Sequence, residues 1–167
     1  MHNNPLHIVL RKPCIEDAGT IWKLIHNSPP LDINSLYSYL ILCAHFADTS
    51  VVAESAEEIC GYVSAYIRPG HINTLFIWQV VVETERHGQG IAKMMINTIL
   101  RRQYSNTIQY LETTVNPSNT SSNALFDSIA KSLNTRCEKS ILFSKKDFGN
   151  LAHEDEILYR IGPFDTQ

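Results

Sequence analysis

Apolar and polar positions in this chain follow two periods, and the switches between them outline its elements. Ile8-Val9-Leu10-Arg11 reads as a first strand. After Asp17-Ala18-Gly19-Thr20, the residues Ile21, Trp22, Leu24 and Ile25 recur at helical spacing. Pro29-Pro30 ends that helix, because a residue before proline is pushed out of the α region. Asn34-Ser35 caps a second helix carrying Leu36, Tyr37, Leu40, Ile41 and Cys43. Ser50 to Glu54 and Ile59 to Ile67 are strands joined by a short polar turn. The run Thr74 to Val82 is apolar almost throughout, which suits a central strand covered on both faces. Gly88 and Gly90 then introduce a helical pattern with Ala92, Met94, Met95, Ile96 and Ile99, reaching to about Tyr104. Ile108 to Val115 is a further strand. Asn116-Pro117-Ser118-Asn119 opens a helix over roughly Ser121 to Leu133, and Ser140 to Ser144 and Glu156 to Ile161 close the chain as strands. The order is β-α-α-β-β-β-α-β-α-β-β. It predicts an α+β fold in which helices flank a central mixed, mostly antiparallel sheet.

Composition narrows the function more by exclusion than by assignment. A chain of 167 residues predicts one domain with a real core. A net charge of −3 leaves no basic footprint for nucleic acid and no polybasic membrane patch. No apolar run is long enough to cross a membrane. Met1-His2-Asn3-Asn4-Pro5 lacks the charged start and apolar core of a secretion signal, so a cytoplasmic protein is expected. Cys14, Cys43, Cys60 and Cys137 are scattered and read as reduced thiols. The seven histidines form no His-x-x-x-His pair, and no metal is expected.

The stretch with the clearest chemistry is Val80-Val81-Val82-Glu83-Thr84-Glu85-Arg86-His87-Gly88-Gln89-Gly90-Ile91-Ala92. A strand feeding through glycines into a helix leaves unpaired backbone N–H groups at the positive end of the helix dipole. That arrangement binds phosphate without side-chain charge. A dinucleotide fingerprint would need a third glycine at Lys93, and a P-loop would need Gly-Lys-Ser/Thr after the turn, so neither fits. His87-Gly88-Gln89-Gly90-Ile91-Ala92 resembles the acetyl-CoA signature of the GNAT superfamily of N-acetyltransferases, Gln/Arg-x-x-Gly-x-Gly/Ala. His87 stands where the family has arginine or glutamine. The element order is the GNAT order, and Asn119 to Phe126 resembles the family's Asn-x-x-Ala-x-x-Leu-Tyr. This resemblance implies the acyl-CoA N-acyltransferase fold with acetyl-CoA as cosubstrate. Its contacts would fall on Val80, Val82, His87, Gly88, Gln89, Gly90, Ile91, Ala92 and Asn119. Phe126 replaces the tyrosine that commonly protonates the leaving thiolate, and phenylalanine has no proton to give.

Longer segments narrow the resemblance. They are Ser28 to Leu40, Cys43-Ala44-His45-Phe46, Val52-Ala53-Glu54, Phe76 to Val80, Leu111 to Asn119, and the tail with Phe148-Gly149, His153-Glu154-Asp155-Glu156 and Arg160-Ile161-Gly162-Pro163. From about Leu10 to Phe164 the chain is similar to the GNAT enzymes that acetylate L-2,4-diaminobutyrate in ectoine biosynthesis. The resemblance implies transfer to the 4-amino group, small-molecule partners only, and a homodimer. An alkyl ammonium titrates near ~10, so such a site must take a proton from one nitrogen and hold it beside the thioester. Carboxylates are the natural partners of two ammonium groups.

Glu112 puts a charge into an apolar strand and is the leading catalytic or substrate-binding candidate, with Thr113 beside it. Asp32 is either a turn residue or one wall of the acceptor cleft, and Tyr37 lies five positions on. Trp78 is either core or a cation–π surface for an ammonium. Gln79, a lone amide in an apolar run, is either a ligand contact or part of a polar network. His153 is either a solvated loop residue or a second candidate base, imidazole being the side chain that ordinarily titrates near neutrality. Two other readings stay open. One is a GNAT enzyme for another amine, such as a polyamine or a protein amino terminus. The other is a non-catalytic acetyl-CoA sensor, to which Phe126 points.

Overall fold

A computed structural model describes residues 7–102 and 107–165. The amino-terminal residues on which the leader reading rests, and the 103–106 stretch into which the helix after the glycines was expected to run, lie outside the described residues. The strands are β1 (Ile8–Arg11), β2 (Val51–Ser55), β3 (Glu58–Ile67), β4 (Thr74–Val82), β5 (Tyr110–Val115), β6 (Cys137–Phe143) and β7 (Glu156–Ile161). The helices are α1 (Ala18–His26), α2 (Leu36–His45), α3 (Ile91–Leu100) and α4 (Thr120–Ser132). One mixed sheet runs in the order β1-β2-β3-β4-β5-β7-β6. The β4–β5 pair is parallel, whereas β1–β2, β2–β3, β5–β7 and β6–β7 are antiparallel. Element order and sheet type are those the sequence predicts. β6 begins three residues earlier than expected, as a polar start, Cys137-Glu138-Lys139, pairs with β7.

The described residues form two compact units, one of residues 7–65 with 79–100 and the other of residues 66–78 with 101–102 and 107–165. β3 and β4 pass from one unit into the other. In the first unit, α1 and α2 pack Ile21, Ile25, Tyr39, Leu42 and Cys43 on the sheet face that carries Val52, Tyr62 and Val81. On the opposite face Met95 of α3 closes on Gly61 and Ala53 so tightly that a Cβ at Gly61 would lie 3.0 Å from the methionine methyl. Ser35 caps α2 by accepting the N–H of Ser38.

The second unit has α4 on one face, with Phe126 against Tyr159 of β7. Asn119 caps α4 through Oδ1, which accepts the N–H of Ser122 at 3.1 Å. β6 is an edge strand with Ile141, Leu142 and Phe143 all exposed.

β4 departs from expectation. A run of apolar residues suggested cover on both faces, yet burial alternates: Leu75, Ile77, Gln79 and Val81 are buried, while Phe76, Trp78, Val80 and Val82 are partly or wholly open. The period of two decides this, since successive side chains leave a strand on opposite faces. One face belongs to the core, and the other carries apolar side chains that solvent reaches.

Candidate active site

The glycine turn lies entirely in the first unit. A short 3-10 turn at Thr84–Arg86 follows β4, and Gly88 and Gly90 adopt φ of 76° and 77° before α3 begins. Positive φ at two alternate positions is what glycine permits at little steric cost. An added Cβ at either glycine meets no protein atom within 4 Å. The N–H of His87 is used inside the turn, donating to Thr84 O at 3.1 Å. The first bond of the helix ladder runs from Met94 N–H to Gly90 O at 3.0 Å, so the amides of Gly90, Ile91 and Ala92 have no intrahelical acceptor. The His87 imidazole turns back, and its Nε2–H donates to Val82 O at 2.9 Å. It braces the turn from the side.

Gln79 resolves into a polar network of the same unit. Its amide nitrogen donates to the Asp32 carbonyl at 2.8 Å, its carbonyl accepts from the Tyr39 hydroxyl at 3.1 Å, and its backbone N–H donates to Ser64 Oγ at 3.2 Å. β4 thereby fixes the loop between α1 and α2, and the Asp32 carboxylate is left exposed on that loop. The tyrosine in this network is Tyr39; Tyr37 is 70% exposed on the first turn of α2.

The second unit carries the other group of nominated residues. Glu112 is 1% exposed and lies between two guanidiniums. Arg68 Nη1 donates to both its oxygens, at 3.2 and 3.0 Å, and Arg160 Nη1 donates to Oε1. The Arg160 guanidinium also lies over the Tyr110 ring, 3.9 Å from its centre. A buried carboxylate needs such partners. Both Glu112 oxygens are thus engaged by arginine N–H groups. Neither arginine was nominated from the sequence as a site residue, although Arg160 belongs to a segment that carries the resemblance. The signal available was a glutamate in an apolar strand, which obliges a cation on a neighbouring strand.

Register sorts the remaining residues. Phe76, Glu112 and Arg160 are aligned across β4, β5 and β7 and share one face, which also takes Trp78, 46% exposed. Trp78 is therefore not a core tryptophan. Ile77, Thr113 and Tyr159 share the other face. Thr113 is buried there, so its side chain leaves the strand on the face opposite Glu112.

His153 is half-buried and stacked on Phe148, with ring centres 3.8 Å apart. Its Nδ1 lies 2.7 Å from Glu154 O and its Nε2 lies 3.7 Å from Glu156 Oε1. Donation from Nδ1–H to that carbonyl makes Nε2 the basic nitrogen of the neutral ring. It is thus no loosely solvated loop histidine.

Phe126 is buried, and the phenol packed against it, Tyr159, donates its hydroxyl to Asn123 Oδ1. All four cysteines are free. Burial pushes the Cys43 thiol up to about 11 and raises Cys60 and Cys137 as well. Desolvation together with Glu16 and Asp17 raises Cys14. None is a ready thiolate nucleophile near neutrality. Among the described residues no group of three or more His, Cys, Asp and Glu side chains could hold a metal ion. A cavity of about 740 Å³ in the first unit is lined by Arg11, Asp17, Glu54, Glu58 and Glu83, among others. It contains none of the nominated residues, and Arg11 ties up Asp17 and Glu54.

A β4–glycine turn–α3 unit in a sheet of this order defines an acyl-CoA acyltransferase of the GNAT type. The family model described as Acetyltransferase (GNAT) family matches residues 18–129, and the chain belongs to that family. It is 42% identical over 157 residues to the L-2,4-diaminobutyric acid acetyltransferase of Marinococcus halophilus, covering 94% of this chain and 91% of that one. It is 44% identical over 151 residues to the protein of the same name from Virgibacillus pantothenticus, covering 90% and 95%. Diaminobutyrate acetyltransferase EctA from Paenibacillus lautus, solved in complex with its substrate L-2,4-diaminobutyric acid and coenzyme A, matches with a TM-score of 0.92 at 36% identity, covering 97% of this chain and 98% of that one.

Removing the Glu112 charge leaves two guanidiniums facing a neutral amide. Breaking a buried pair from one side costs about 3 kcal/mol where, as here, the remaining partners reach water. Glu112→Gln is expected to lower the urea midpoint accordingly. A stability within about 0.5 kcal/mol of the parent, typical of an ordinary surface change, contradicts the triad.

Proposed function

We infer that this chain transfers the acetyl group of acetyl-CoA to the 4-amino group of L-2,4-diaminobutyrate, forming 4-N-acetyl-L-2,4-diaminobutyrate as a step of ectoine biosynthesis. The observation that carries this reading is the likeness, over nearly the whole chain, to acetyltransferases named for that substrate. The glycine turn supports it by offering main-chain amides to the phosphates of the cosubstrate. The raised thiols support direct transfer from thioester to amine, without an acetyl-cysteine stage.

In our proposal both units act as one GNAT domain spanning residues 1–167. Gly88, Gln89, Gly90, Ile91 and Ala92 hold the cosubstrate through their N–H groups, flanked by Val80 and Val82. Asn119 contributes its amide nitrogen, since Oδ1 is spent on the cap. Asp32 and Tyr37 in the first unit and Trp78 in the second are our candidates for substrate binding, a carboxylate and an aromatic face being the partners that ammonium groups take. His153 takes the amine proton on Nε2, and Glu156 stabilises the imidazolium so formed. The amine lone pair then attacks the thioester carbonyl, forming the C–N bond; the C–S bond breaks to release the CoA thiolate, and the nitrogen gives up its second proton to solvent as the amide forms. With phenylalanine at 126, the thiolate leaves without a proton from that position. We also propose a cytoplasmic homodimer, for which the exposed Ile141, Leu142 and Phe143 on the β6 edge offer an apolar surface. Light scattering at micromolar concentration should read twice the 18.9 kDa chain mass; a monomer mass contradicts the dimer.

A thiol-release assay across diamino acids, polyamines and amino-terminal peptides tests the reaction. CoA should appear with L-2,4-diaminobutyrate far faster than with the others. Binding of acetyl-CoA without release for any amine overturns the enzyme reading in favour of a sensor. Gly90→Val tests the turn. Positive φ at a β-branched residue costs about 1–3 kcal/mol of strain and spoils the presentation of the amides. Acetyl-CoA affinity should fall more than about tenfold in a folded protein. His87→Ala removes one exposed hydrogen bond of about 1 kcal/mol and should change that affinity only a few-fold. Equal affinity in Gly90→Val and the parent contradicts main-chain recognition.

A further inference from the structure

Resting on the diaminobutyrate reading, we propose that Arg68 and Arg160 bind the α-carboxylate of the amino-acid substrate, and that Glu112 acts as a positioning residue holding the two guanidiniums as a preformed anion site. The charge count starts the argument. One buried carboxylate faces two arginines, so the formal charge of the triad is +1. Neutralising Glu112 requires one guanidinium, and the second is an excess cation. Both arginine side chains are about a third exposed, at 38% and 31%, whereas Glu112 is sealed beneath them.

The donors are also left over. Arg68 spends only Nη1 on Glu112, and Arg160 likewise spends only Nη1. Among the described residues, the Nε and Nη2 groups of both have no protein acceptor. The remaining carboxylate on this face of β6, Glu138, is the register partner of Arg160 and lies 3.4 Å from Arg136. Two guanidiniums fixed by a shared buried anion present planar N–H pairs that match a carboxylate in the bidentate manner arginine favours. Fixing them in advance removes the rotamer cost of ordering them on binding.

The surroundings suit a zwitterionic diamine. Tyr66 and Phe76 stack at 5.2 Å, Tyr110 lies under Arg160, and Trp78 is open on the same strand face as Phe76. Aromatic faces attract ammonium groups and do nothing for a carboxylate. The arginine pair therefore supplies the one interaction that separates an amino acid from a plain diamine. It rejects a decarboxylated analogue because the excess positive charge is then left without its anion.

Steady-state kinetics with L-2,4-diaminobutyrate and its decarboxylated analogue 1,3-diaminopropane test this in the parent, Arg68→Gln, Arg160→Gln and Arg68→Lys. Acetyl-CoA binding by calorimetry reports folding in each. In Arg68→Gln, KM for diaminobutyrate should rise roughly tenfold to a hundredfold, the loss of charge-assisted bonds, with kcat changing much less. kcat/KM for 1,3-diaminopropane should fall by a far smaller factor, so discrimination between the two collapses. Arg68→Lys keeps the charge, loses the fork and should sit between. Equal losses on both amines, or none on either, overturn the proposal and leave a purely structural triad. If Arg160→Gln fails to bind acetyl-CoA, the two Arg68 variants decide the outcome. A parent enzyme inactive on diaminobutyrate sinks the substrate reading first, and this proposal with it.

Discussion

A carboxylate buried in a sheet must be answered by positive charge, and in this chain that requirement organises one unit. Glu112 on β5 binds Arg160 of β7 and Arg68 just beyond β3. Breaking it would strand charges rather than a contact, so the three strand ends around it are held in one arrangement. The same requirement places two guanidiniums at the surface of an otherwise aromatic face. A stability device thus leaves an anion site behind it.

The first unit solves a different problem in the same manner, by fixing irregular chain from a regular strand. Gln79 leaves the core face of β4 and uses both ends of its amide, one on Tyr39 of α2 and the other on the carbonyl of Asp32. Four residues later the strand gives way to the glycine turn, where the amides of Gly90, Ile91 and Ala92 precede the first helix bond. One strand therefore orders both the loop that carries an acidic side chain and the turn that presents N–H groups.

Most of the architecture was legible in the sequence because it rests on period and punctuation. Pro29-Pro30, Asn34-Ser35 and Gly88-Gln89-Gly90 mark boundaries through local backbone chemistry, which needs no knowledge of the fold. Burial on β4 was misread because a run of valine and isoleucine looks the same whether one face is covered or two. Only a partner element shows that Trp78 and Val80 stay open. The site was legible by residue type and less so by partner. Gln79 and Glu112 stood out as polar groups in apolar strands. Their answers, Tyr39 in one case and Arg68 with Arg160 in the other, are 40, 44 and 48 positions away. Of these pairings only Glu112 with Arg160 follows from strand register; Tyr39 arrives on a packed helix and Arg68 from beyond the end of β3. Thr113 shows a related limit, as neighbours in sequence leave a strand on opposite faces.

The central claim is that this GNAT chain acetylates one particular nitrogen of a diamino acid. The most direct measurement is proton and carbon NMR of the product made from acetyl-CoA and L-2,4-diaminobutyrate by the intact protein. The account predicts a single product acetylated at the 4-amino nitrogen, with the α-amino group free. Acetylation at the α-nitrogen, a mixture of both, or no product contradicts it.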